Sequence, residues 1–203
     1  MRSGRQGRAL AEIRSLDLAL YRAVGDTRTP ALDVALARLS QASNYSRLSI
    51  GFSLALLLGG GPKGTHAALR GMASVGVTAG VVNLVFKPLT RRQRPDRKGL
   101  FTVGRSRIKM PTTRSFPSGH TAAAFAFATG AGRELPWTGP PLYVLAALVG
   151  YSRVHTGVHY PLDVIAGAAA GVALSELTSA FIDRMACTRT PDSRTGPSGP
   201  ARI

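Results

Sequence analysis

Five stretches of this chain are apolar or small almost all round: Leu48 to Gly61, Ala67 to Phe86, Thr121 to Gly132, Leu142 to Tyr151 and Val164 to Ala180. A helix of a soluble bundle carries one apolar stripe and keeps a polar face for water. These segments have no such polar face. A bilayer span takes about 20 mostly apolar residues. The second and fifth runs approach that length alone, and the other three reach it with their Ser, Thr and Gly flanks. Small residues recur inside the runs, as at Gly71, Ala73, Gly76 and Gly80, and again from Ala166 to Gly171. Such residues let helix backbones approach closely within lipid. The pattern predicts an all-α, multi-span transmembrane helical bundle with five clear spans. A soluble bundle with an Ala-rich core is the competing reading, and the all-round apolarity weighs against it.

The rest of the chain is organised differently. From Ala9 to Ser43, Leu10, Ile13, Leu16, Leu20 and Val24 recur at helical spacing, and Leu32, Ala35, Leu36 and Leu39 repeat the pattern beyond Pro30. This predicts two amphipathic helices on the membrane or packed across it, so the segment is a candidate sixth span. Met1 to Arg8 is basic, but Glu12, Arg14 and Asp17 break up the apolar residues after it, so a cleaved secretory signal is not expected. The expected organisation is a basic, amphipathic N-terminus over 1–45, a membrane domain over 46–187 and a disordered tail over 188–203, rich in Pro, Gly, Ser, Thr and Arg. The single cysteine, Cys187, excludes an intrachain disulfide and a CxxC zinc site, and is expected to be inert.

A net charge of +16 first suggests a nucleic-acid partner. The charge is not evenly spread, however. Lys87, Arg91, Arg92, Arg94, Arg97, Lys98, Arg105, Arg107, Lys109 and Arg114 crowd the stretch between the second and third apolar runs, with Asp96 the only acid among them. Most such residues in a basic loop face water or lipid headgroups, and Arg91, Arg92 and Arg97 are expected to do so.

Three short blocks give part of this charge a chemical setting. Six residues separate Lys87 from Arg94, which precedes Pro95; Pro117-Ser118-Gly119-His120 opens the third apolar run; and Ser152-Arg153 is followed by His159 and Asp163. His159 and Asp163 are four apart, which puts them on one face of a helix. An Asp163 carboxylate accepting from Nδ1–H leaves Nε2 of His159 unprotonated and nucleophilic. Ser118 stands at a good N-cap position, and free amides near Ser118 and Gly119 suit phosphate oxygens. Arg94 and Arg153 offer bidentate donors, and Lys87 a point charge. His155 invites a metal-pair reading with His159, but no third ligand accompanies it, so a structural or rim role is expected. His66 has no partner motif, and Phe116 is expected to pack.

With all three blocks present and in order, the stretch from Lys87 to Asp163 resembles the type 2 phosphatidic acid phosphatase superfamily, which groups lipid phosphate phosphatases with bacterial acid phosphatases and vanadium haloperoxidases. The resemblance implies a helical bundle with the blocks converging at one end, and His159, His120 and Asp163 as the catalytic set. His159 would attack phosphorus, His120 would protonate the leaving oxygen, and a phosphohistidine would form. Lys87, Arg94, Ser118, Gly119 and Arg153 would bind the phosphate. No metal and no cofactor is implied. The expected partners are a lipid phosphate substrate and membrane lipids, without nucleic acid; the sequence carries no signal for an oligomeric state. The implied placement is a multi-pass protein of a bacterial inner or plasma membrane, with the catalytic end on the extracytoplasmic face, although positive-inside counting favours the cytoplasm. Phosphatidic acid, phosphatidylglycerol phosphate and polyprenyl phosphates or diphosphates all fit as substrates. An acid phosphatase for small phosphomonoesters and a non-catalytic basic membrane protein binding anionic lipids remain the alternatives.

Overall fold

The computed structural model describes residues 2–27, 29–97 and 110–188, and every regular element among them is a helix. These are α1 (Arg2–Asp26), α2 (Pro30–Ala42), α3 (Arg47–Gly59), α4 (Gly61–Val81), the short α5 (Lys87–Leu89), α6 (Gly119–Glu134), α7 (Gly139–His155) and α8 (Pro161–Cys187). Prolines mark the entries: Pro30, Pro62, Pro140 and Pro161 occupy the first or second position of α2, α4, α7 and α8. At that position the missing N–H costs nothing and the fixed φ suits the helix. A π-helical stretch, Val82–Phe86, joins α4 to α5, so the rod continues from Gly61 to Leu89. The segments Lys98 to Lys109 and 189–203, which hold part of the basic loop and the expected tail, lie outside the described residues.

Two helices, Gly61–Leu89 and Pro161–Cys187, are long and apolar enough to cross a membrane. The other three expected spans form helices of 13, 16 and 17 residues. At about 1.5 Å per residue the shortest rises only about 20 Å. Their ends are fixed by Gly60, by the entry at Ser118 and by the Pro136 to Pro141 turn rather than by loss of apolarity. Residues Ala9 to Ser43 form two helices, and neither reaches the length and apolarity of a span.

Outside an apolar cluster around Val75, Phe127 and Leu142, the packing is inverted relative to a water-soluble protein. Leu58, Leu69, Leu84, Val144, Leu177 and Phe181 are exposed, while Ser49, Ser53, Ser74, Thr78, Ser175 and Ser179 are buried. Ser175 Oγ donates to Ser74 Oγ at 2.9 Å, tying α8 to α4. Small hydroxylated residues inside, with branched apolar side chains outside, let helices pack closely in lipid. The same inversion governs α1. Its Leu10, Ile13, Leu16 and Leu20 are outward, and its buried positions are Asp17, Tyr21 and Gly25.

Helix α6 is central and packs mainly on α4 and α8. A Cβ at Gly167 of α8 would lie 2.5 Å from the Ser118 carbonyl oxygen, and one at Gly171 would collide with the Ala122 carbonyl. The α6–α8 seam is therefore backbone against backbone. With successive helices antiparallel, the end of α4–α5, the start of α6, the end of α7 and the start of α8 meet at one end of the bundle.

Candidate active site

The turn from α7 into α8 sets the geometry. Gly157 adopts φ +69°, a left-handed conformation that glycine enters without cost. Its N–H bonds the Val154 carbonyl at 2.9 Å, and Val158 and His159 both donate to the Arg153 carbonyl, at 2.9 and 3.2 Å. His159 is thereby folded under the end of α7 with 1% of its surface exposed.

Arg94 Nη1 lies 3.1 Å from His159 Nε2. A guanidinium has only donors, so Nε2 is the acceptor and the imidazole carries its proton on Nδ1. Nδ1 faces Asp163 Oδ2 and Ser115 Oγ, each at 3.4 Å. Burial holds the His159 imidazole well below its ordinary range, to about 4, with Arg94 pushing the same way and the Asp163 carboxylate opposing. His159 is therefore neutral at physiological pH. Arg94 is lowered by its own burial to about 10 and keeps its charge there.

The contact expected between Asp163 and Nδ1–H is present but long. The shorter bonds to Asp163 come from elsewhere: Ser115 Oγ donates to Oδ2 at 2.5 Å, the Tyr160 N–H to Oδ2 at 3.0 Å and Arg92 Nη1 to Oδ1 at 2.9 Å. As the third residue of α8, Asp163 also caps that helix by accepting the Tyr160 amide.

Around the histidine, Lys87 Nζ donates to Asn83 Oδ1 at 2.7 Å and reaches within 3.6 Å of where a Cβ on Gly119 would stand. Arg94 donates to the carbonyls of Thr113 and Val158, at 2.8 and 3.0 Å. Arg153 is 1% exposed; its Nη2 is shared by the Ser40 carbonyl, Ser43 Oγ and Asn44 Oδ1, and its Nε is buried without a partner among the described residues. His120, second residue of α6, lies within electrostatic reach of Arg153, His159, Lys87 and Arg94. All eight residues singled out from the sequence thus gather at one end.

Some expectations need correction. The Ser118 amide is not free: it donates to the Asp163 carbonyl at 2.8 Å. Nor does the Ser118 hydroxyl cap α6; Oγ pairs with Thr121 Oγ1 at 2.9 Å. The amides at this helix start that have no acceptor within the helix are those of Gly119, His120 and Thr121. Arg92 is only partly exposed and is not simply a cation facing water or headgroups. It bridges Asp163 and Asp17 and stacks 4.3 Å from the Tyr160 ring centroid. Arg97 Nε donates to the Gly157 carbonyl at 3.3 Å. His155, by contrast, is placed as expected of a structural residue, with Nε2 2.9 Å from Asp33 Oδ1.

Reasoning from sequence missed Asp17, Asp33, Ser40, Ser43, Asn44 and Ser115. Ser115, two residues before the Pro-Ser-Gly-His block, was within reach of a motif-based reading. The others lie 109 or more residues from most of their partners and carry no local signal.

Such a bundle, holding a neutral buried histidine beside Lys87, Arg94 and Arg153, none of which has a carboxylate partner among the described residues, has the makings of a membrane-protein class that handles phosphoryl groups. The PAP2 superfamily model matches residues 68–185, and the chain belongs to that family. It is 34% identical over 150 residues to a Mycobacterium tuberculosis decaprenylphosphoryl-5-phosphoribose phosphatase, a match covering 73% of this chain and 78% of that protein. It is 40% identical over 83 residues to a Porphyromonas gingivalis lipid A 1-phosphatase, covering 39% of this chain but only 19% of that longer protein. Among solved structures it resembles the Bacillus subtilis transmembrane PAP2 type phosphatidylglycerolphosphate phosphatase, with TM-score 0.65 and 26% identity over 86% of this chain and 88% of that one. Aquifex aeolicus LpxE superposes with TM-score 0.64 and 27% identity over 81% of this chain and 95% of that one.

Proposed function

We propose that this protein is an integral membrane phosphatase that removes phosphate from a phosphomonoester or diphosphate carried on a lipid, through a phosphohistidine and without a metal. The observation that carries the reading is the His159 imidazole, neutral, with Nε2 held by Arg94 and Nδ1–H turned to Asp163 and Ser115. In the reaction Arg94 Nη1 passes from Nε2 to a phosphoryl oxygen, and the freed lone pair attacks phosphorus in line. The P–O bond to the lipid breaks as His120, charged by the proton that a phosphate monoanion brings with it, gives that oxygen a proton. Water, losing a proton to His120, then attacks the phosphohistidine and releases inorganic phosphate. Lys87, Arg94, Arg153 and the amides of Gly119 and His120 stabilise the equatorial oxygens, and the buried, unpaired Nε of Arg153 is a donor such an oxygen satisfies.

A lipid-linked substrate is supported by a cleft of about 730 Å³ beside the site. Leu10, Ile13, Phe116 and Leu162 line it together with Arg14 and Arg91, a mixture that suits an amphiphile with an anionic head. Phosphatidic acid, phosphatidylglycerol phosphate, decaprenylphosphoryl-5-phosphoribose and undecaprenyl diphosphate form the test panel, assayed for phosphate release in detergent with EDTA present. Release from at least one, abolished by His159→Ala, is the expected result. Loss of activity on adding EDTA overturns the metal-free mechanism, and release from small soluble phosphomonoesters alone overturns the lipid assignment. We place the catalytic end on the extracytoplasmic face, because the loop cations serve the phosphate and so carry little orientation information. An Arg91→Cys, Cys187→Ser variant labelled by an impermeant maleimide in sealed cells supports this; protection until lysis refutes it.

A further inference from the structure

We propose that Asp17 on the N-terminal helix and Arg92 on the basic loop are positioning residues, which together hold Asp163, and through it His159, in register for attack. The inference rests on the phosphatase reading and extends its site to a helix 75 residues away from the loop it grips. Asp17 and Asp163 are both buried carboxylates, 2% and 0% exposed, and Arg92 is the cation that bonds both. Its planar fork spans them as an ammonium cannot. Asp17 Oδ1 also accepts the Leu162 N–H at 2.8 Å, so α1 grips the first turn of α8 directly. Tyr160 closes the unit: its ring lies under the Arg92 guanidinium and 5.2 Å from the Tyr21 ring of α1. The outward face of α1 bears Leu10, Ile13, Leu16 and Leu20, whereas its inward face supplies Asp17 and Tyr21 to the site. The helix is thus part of the catalytic apparatus and not only a membrane contact.

Charge gives the arrangement a signature. The ionisable groups acting on His159 are Arg94 from the loop, Asp163 from α8, Arg153 from α7 and His120 from α6. Arg92 tempers Asp163, and Asp17 tempers Arg92. Removing Asp17 strengthens the hold of Arg92 on Asp163, leaving less negative charge to stabilise a protonated His159. Removing the charge of Arg92 does the reverse.

The test measures kcat and KM against pH for Asp17→Asn, Arg92→Gln and Arg92→Lys, using whichever panel lipid the wild type hydrolyses. In parallel, ¹⁵N-histidine spectra of the full chain in detergent follow the His159 titration from about pH 2.5 to 8. Asp17→Asn is expected to move that titration and the acid limb down by about half a pH unit, and Arg92→Gln to move both up by a similar amount. Arg92→Lys keeps the charge, so its titration stays in place while kcat falls about tenfold at unchanged KM. Shifts of the same sign in Asp17→Asn and Arg92→Gln, no shift in either, or full kcat in Arg92→Lys would overturn the proposal. The spectra report whether or not a panel lipid is hydrolysed. An inactive wild type with opposite shifts therefore sinks the function and leaves the relay, and an active wild type without them does the converse.

Discussion

The two ends of the bundle treat positive charge in opposite ways. At the end away from the site, Arg70 bonds Glu134 at 2.5 Å and Asp183 at 2.7 Å, and Arg133 bonds Glu176 at 2.6 Å and Asp183 at 3.2 Å. Both of these guanidiniums are matched by carboxylates, and the pairs lace α4, α6 and α8 together. At the catalytic end Lys87, Arg94 and Arg153 are held by an amide oxygen, backbone carbonyls and hydroxyls, and none forms an ion pair among the described residues. Neutral oxygens fix a cation's position and leave its charge available to an incoming anion. Arg92 marks the boundary, since it pairs with two carboxylates and is proposed to position Asp163 instead of binding phosphate.

This contrast is most severely tested by putting a carboxylate where the catalytic end has none. Arg94→Glu is expected to lower kcat/KM by about 10³-fold or more, since it removes an oxyanion donor and repels the phosphate. A purified variant that retains a tenth of wild-type turnover would refute the assignment of Arg94. Asn83→Asp is subtler: it leaves Lys87 in place and pairs its charge, and phosphate release is expected to fall about tenfold, mainly through KM. An unchanged KM would mean that Lys87 does not meet the substrate.

The pH dependence sharpens the same point. With His159 held near 4, its neutral, nucleophilic form persists as pH falls from 7 to 5. Turnover limited by that ionisation is expected to change by less than about twofold across the interval, with the acid limb below it. A limb centred at the ordinary histidine value would show that burial and the neighbouring cations do not suppress the proton. The smallest effect on turnover is expected at the far end. Arg70→Met should leave kcat/KM within about twofold while lowering the detergent melting temperature by about 2–4 °C. A larger loss of activity than of stability would show that the two ends are not separable.

How much of this was legible beforehand depends on distance along the chain. His159 and Asp163 are one helical turn apart, so their pairing follows from spacing, whereas the place of Ser118, Gly119 and His120 in the same site comes from the resemblance of their consecutive block to a family motif. The apolar runs likewise placed α3, α4, α6, α7 and α8 close to where they form. The partners could not be read. Arg153 is gripped by Ser40, Ser43 and Asn44, and Asp163 is reached from Asp17 through Arg92, contacts that exist only because α1 and α2 fold back over the ends of α7 and α8. The Ser118 amide shows the same limit. A free helix N-terminus is the local expectation, and a carbonyl 45 residues later in the chain claims it.

The glycine seam between α6 and α8 has a mechanical consequence. A bilayer that thickens or thins tilts the helices embedded in it, and side chains between them normally absorb the shear. At Gly167 and Gly171 no side chain intervenes, and the Ser118 amide is bonded across the seam to Asp163. The helix carrying His120 and the helix start that orients His159 therefore move as one casting. On the proposed mechanism, lipid pressure would rock the site while the spacing between His120 and His159 stays deaf to it.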